Sequence, residues 1–137
     1  MSFLAITFPD LFSKIYKQTH QESKDLLITE RNIVGWDHAK IGAYYLWNHH
    51  ISDEVVEAVH WHHEPEVEKR IGIGTQDLHR LIDVVSLGNW TAHAMHFGFS
   101  GHRSHGKVSE VLVDRMGIRE DDLSEIKTRT RESFKEF

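Results

Sequence analysis

The sequence predicts an all-α fold, a single helical domain of about six helices spanning residues 1–137. Two observations carry this. Apolar residues recur at helical spacing in successive windows, and those windows are bounded by cap residues, glycines and prolines, with no convincing strand between them. At 137 residues, 39% hydrophobic and 27% charged, the chain has the length and composition to bury roughly two-thirds of its unfolded surface in one domain.

Pro9 suits the first position of a helix, where its missing N–H costs nothing. Phe8, Leu11, Phe12, Ile15 and Tyr16 follow at helical spacing, so a helix is expected over about 9–22. After the polar run 21–25, Thr29 is expected to cap a second helix running to about Trp47, with Glu30 at its positive end. Val34, His38, Ile41 and Tyr45 would then share a stripe, which puts His38 where periodicity asks for an apolar residue. It is either a core-edge histidine bonded to a carbonyl or a ligand. Gly35 and Gly42, seven apart, would serve close helix–helix approach.

His49 and His50 read as solvated loop residues. Ser52, followed by Asp53 and Glu54, launches a third helix through Val55, Val56 and Val59, and Pro65 biases Glu64 out of helical geometry. Residues 66–74 read as a loop. Thr75 caps a fourth helix to about Phe97, with Leu78, Leu81, Ile82, Val85, Ala92 and Met95 as its buried stripe. The glycine- and serine-rich stretch 98–106, with His102 and His105, reads as a surface loop. Val108 to Met116 forms a short helix ended by Gly117, and a last helix covers about 120–136, acidic at its start and basic later.

Sixteen basic against 21 acidic residues give a formal charge of −5, without the basic run that grips phosphates, so nucleic acid is not an expected partner. No apolar run approaches a membrane span, and the first residues lack a basic leader. The absence of cysteine excludes disulfides and thiolate zinc sites and fits the cytoplasm. Twelve histidines are the unusual count.

Their most suggestive placement is His62-His63-Glu64-Pro65, where a helical apolar face runs out. Two adjacent imidazoles beside a carboxylate suit a metal, but neighbouring helical residues point about 100° apart, and the favoured reading is polar residues capping a helix end. His93 and His96, at i, i+3, form a second pair. Asp83 lies four residues after His79, a spacing that usually gives only a weak surface charge pair.

The run from Glu30 through Gly35, His38 and Gly42, followed by Trp47 and the stretch Val55 to Pro65, resembles the HDOD family, the HD-related output domains of bacterial signalling proteins. The resemblance covers about residues 8–117. It implies a helical relative of the HD phosphohydrolases and HD-GYP cyclic dinucleotide phosphodiesterases, lacking the upstream HD helices. By position, His38 matches the single later histidine of an active site there, and His62 and His63 match its histidine pair. The His-Asp dipeptide of active relatives is absent, and the chain begins at the point that follows it in full-length family members. Asn89 falls where the last aspartate ligand would stand, unless the alignment slips by six residues to Asp83.

Two-metal phosphoester hydrolysis needs paired ions about 3.5–4 Å apart, and three neutral imidazoles supply no carboxylate to bridge them. The expectation is a non-catalytic regulatory or protein-interaction domain, with self-association or a protein partner. No cofactor is expected; an ion, if bound, would be a single zinc, manganese or iron on His38, His62 and His63, with Asp83 or Asn89. The rival expectation is a metal-dependent phosphohydrolase or cyclic nucleotide phosphodiesterase using His38, His62, His63 and Asp83 or Glu64, its site completed by a second chain.

Overall fold

The computed structural model describes residues 2–97 and 107–134, and among them every regular element is helical. His102, His105 and the end of the last expected helix lie outside the described residues. The described residues form eight α-helices: α1 Ser2–Thr7, α2 Pro9–Tyr16, α3 Leu26–Val34, α4 His38–Asn48, α5 Asp53–Trp61, α6 Gln76–Ala94, α7 Glu110–Met116 and α8 Glu120–Ser133. The described residues fall into two compact units, 2–60 and 61–97 with 107–134. None of their helices is long and apolar enough to cross a membrane.

In the first unit, α1 was not anticipated, because six residues are too few to show a helical period. Its Leu4 is buried with Ile15 of α2 and Leu26 of α3, and Phe12, Ile33, Val34 and Ile41 pack around them. Pro9 opens α2 as expected, and the helical course continues through a π-type turn, Lys17–Gln21, in which the Thr19 hydroxyl donates to the Ile15 carbonyl at 3.0 Å.

The second expected helix, 29–47, is two helices. Asp25, not Thr29, caps α3 by accepting the Ile28 N–H at 2.9 Å, while Thr29 lies inside the helix with its hydroxyl on the Asp25 carbonyl. Gly35 then ends α3 in the left-handed region at φ 88°, donating its N–H to the Arg31 carbonyl at 3.0 Å. Its role is a C-terminal cap and not close approach. Asp37 restarts the helix by accepting the Lys40 N–H at 3.0 Å, so His38 is the first residue of α4. Gly42 does serve close approach: a Cβ there would meet Val59 Cγ1 of α5 at 3.2 Å.

In the second unit, Thr75 caps α6 through the Leu78 N–H at 3.3 Å, and Ile82 is fully buried on it. Leu81, expected in the buried stripe, is over a third exposed. Gly117 ends α7 at φ 65°, as expected, and α8 follows with Glu120, Asp121 and Asp122 in its first turn. Lys127 of α8 lies 4.6 Å over the Trp90 ring of α6.

Candidate functional site

The histidine candidates are best taken unit by unit. In the first, the break after Gly35 turns the chain so that the N-terminus of α4 meets α3. Glu30, fully buried on α3, lies there: its Oε2 accepts the His38 backbone N–H at 2.9 Å and sits 2.7 Å from His38 Nδ1. A carboxylate at the positive end of a helix is favourably placed, and it answers one of the helix's unmade N–H groups. The same contact orients the imidazole, turning its Nδ1 edge to the carboxylate. The other oxygen, Oε1, is buried and has no hydrogen-bond partner among the described residues.

One residue earlier, Asp37 is buried between the Lys40 amide and Arg31, whose Nε and a terminal nitrogen each lie 2.7 Å from Oδ2. Burial works against its ionisation, but the Lys40 N–H and the Arg31 guanidinium outweigh it and hold the carboxyl below the ordinary aspartate value. Arg31 and Asp37 thus pin the end of α3 to the start of α4, and with it the Glu30–His38 pair.

In the second unit, α5 has already ended at Trp61 when the chain reaches the histidine pair. His62 and His63 occupy the turn that follows, their ring centroids 3.9 Å apart, and the Glu64 N–H closes the turn on the Trp61 carbonyl at 2.8 Å. Leaving the helix removes the 100° divergence that argued against convergence of adjacent side chains.

Asp83 behaves differently from a ligand in waiting. It is buried on α6 with both oxygens engaged: Oδ1 accepts from Arg70 and from Arg115, each at 2.7 Å, and Oδ2 accepts from Arg115 Nε at 2.8 Å. Burial again raises its pKa, and the two guanidiniums more than reverse this, leaving it below the ordinary value; Asp83 in turn raises the pKa of Arg115. Its partners are these arginines rather than the His79 side chain four residues before it. Asn89 is half-buried further along α6.

The remaining histidines are scattered. His50, at φ 57°, and His49, its ring 4.3 Å from Tyr45, are exposed after α4 as expected. His93 lies on α6 but His96 lies past its end at φ 56°, so the pair does not share a helix face.

Glu30, Arg70 and Arg115 are the residues that sequence reasoning undervalued. Glu30 stands eight residues before its partner and Arg115 fifty residues after Pro65, separations to which local periodicity is blind. Asp37, two residues after a glycine, was the one visible signal, since that pairing marks a helix stop followed by a start.

Comparison with known proteins gives one match. A family profile described as HDOD domain covers residues 2–65, a stretch that stops at the histidine turn and so leaves Asp83 and Asn89 outside, where the sequence resemblance had been carried to about 117. No match was found among curated proteins or among solved structures. From α1 to the His62-His63-Glu64-Pro65 turn, residues 2–65, the chain is similar to the HDOD domain family.

Proposed function

We propose that the chain is a non-catalytic regulatory domain of bacterial signal transduction that acts through protein interaction in the cytoplasm, and that His38, His62 and His63 hold a single divalent ion. The observation that carries the non-catalytic reading is the state of Asp83. The acidic residue that could have completed a hydrolytic ligand set has both oxygens committed to Arg70 and Arg115. Freeing it would leave two guanidiniums without their counter-charge, one of them fully buried.

The ion reading has separate support. The sequence resemblance carries His38, His62 and His63 onto the histidine positions of an active relative's site. Glu30 behind His38 is the outer partner that metal-bound imidazoles ordinarily have. Three neutral imidazoles suit zinc, iron or manganese and leave positions open. Such an ion would polarise a bound water or a ligand oxygen, whereas a second ion would need a bridging carboxylate that this set lacks.

Support for interaction comes from α4 and the turn before it. Trp36, Tyr44 and Trp47 are each about half exposed, with Trp36 edge-on to Tyr44 at 6.0 Å and Tyr44 6.2 Å from Trp47. A row of exposed aromatic rings is the composition of a protein-binding surface.

The test is turnover of bis(p-nitrophenyl) phosphate by the 137-residue chain supplied with manganese, iron or zinc. The expected result is a rate no higher than that of His62→Ala. Turnover that His62→Ala abolishes would establish the phosphohydrolase instead.

A further inference from the structure

The half of the chain beyond the family match makes a brace around the histidine turn. Arg115 of α7 reaches back fifty residues to donate to the Pro65 carbonyl at 2.8 Å, with the same guanidinium gripping Asp83 through two nitrogens. Arg70 does the corresponding work one residue earlier. Its Nε donates to the Glu64 carbonyl at 2.9 Å, one terminal nitrogen donates to the His79 carbonyl at 3.2 Å, and the other donates to Asp83 at 2.7 Å. Two consecutive carbonyls immediately after His62-His63 are therefore tied to a single aspartate on α6. Glu64 adds a local tie, its Oε1 accepting the Glu66 N–H at 3.0 Å.

We infer that Arg115 is a positioning residue for His62 and His63, holding the turn that presents the pair through a planar fork shared between Asp83 and the Pro65 carbonyl. The guanidinium suits this task because its donors are fixed in one plane and can serve two acceptors at once, which a lysine ammonium does without that geometry. The assignment gives Asp83 a role as an anchor. It also explains why buried charge is retained at a place where a hydrophobic contact would be no less stable. In its bearing on metal affinity the inference rests on the ion reading given above; in its bearing on the turn it does not.

The experiment compares Arg115→Ala, Arg115→Lys and the exposed-site control Arg131→Ala in the 137-residue chain. Arg115 is the member of the network that can be removed most safely, since its side chain is 29% exposed and Arg70 still pairs with Asp83. The first readout is the imidazole ring resonances of metal-free protein, assigned with His62→Gln and His63→Gln. Arg115→Ala is expected to shift and broaden the His62 and His63 signals with helicity unchanged and the His38 signal in place, Arg115→Lys to do so less, and Arg131→Ala to do nothing. The second readout is cobalt(II) titration followed by its visible absorption bands, in which Arg115→Ala should weaken binding about tenfold or more.

If wild-type protein binds no cobalt, the ion reading fails while the ring resonances still decide the positioning role. Unmoved His62 and His63 resonances in folded Arg115→Ala would overturn the inference whatever the metal result. Should Arg115→Ala fail to fold, Arg115→Lys, which keeps the charge, is judged by the same resonances, and their staying in place would be equally decisive against it.

Discussion

Glu30 and His38, eight residues apart on successive helices, are joined twice through one oxygen: Oε2 takes the His38 backbone N–H at 2.9 Å and faces its Nδ1 at 2.7 Å. A single carboxylate thus caps α4 and orients the imidazole. Glu30→Gln, which keeps the shape and removes the charge, should lower the unfolding free energy in urea by about 1.5–3 kcal/mol, the range for hydrogen bonds to charged groups. The same variant should bind a divalent ion about 10–100-fold more weakly. No change in either would mean that the contact matters to neither stability nor ligation.

Asp37 and Asp83 both have carboxyls held below the ordinary value of 3.8 in the folded chain. The unfolded chain takes up these protons first, so the stability they contribute is present above that value and is lost as pH falls through the lower folded values. The urea midpoint should fall as pH drops below about 4, and Asp37→Asn should make the fall shallower. An identical acid limb in the variant would contradict the Arg31–Asp37–Lys40 account.

Two glycines seven residues apart should respond to alanine for different reasons. At Gly35, φ 88° strains any Cβ, and Gly35→Ala should cost about 1–2 kcal/mol. At Gly42 the helix itself would gain up to about 1 kcal/mol from alanine, but the new Cβ meets Val59 Cγ1 at 3.2 Å. Gly42→Ala should therefore stabilise clearly only when combined with Val59→Ala. A double-mutant cycle in urea measures the coupling, and strict additivity would show that the two helices do not meet as described.

The Asp83 network predicts a contrast between ion pairs. Asp83→Ala leaves the guanidinium of Arg70 buried without its counter-charge and should cost about 3–5 kcal/mol or prevent folding. Asp77→Ala, which removes an exposed pair with Arg80, should leave the thermal midpoint unchanged. Equal effects would refute the distinction.

The aromatic row predicts association. Light scattering after gel filtration should show a mass rising with concentration toward a dimer, and Trp47→Ala or Tyr44→Ala should shift that rise to higher concentration. Monomer throughout would remove self-association and leave a different protein as the partner.

The helices with long apolar periods and standard caps were legible in the sequence: α2 behind Pro9, α6 behind Thr75, and α7 and α8 around Gly117. The break at Gly35 was not, because Val34 and Ile41 keep helical phase across it and a glycine within a helical pattern reads as a mere weakening. At the candidate site the histidines were visible as residue types, but what fixes them was not. Glu30 was read for its charge at a helix start, and the arginines that tie down the turn after His63 are distant in the chain or lie in an apparent loop. Ligand types follow from composition and spacing, whereas outer partners follow only from the tertiary fold.

The most direct test of the account is the ion content of protein purified without a histidine tag or a metal column, so that nothing but its own histidines can retain metal. The account predicts one manganese, iron or zinc per chain, lost in His38→Ala and in His62→Ala. Two ions per chain, or one that survives both substitutions, would contradict it.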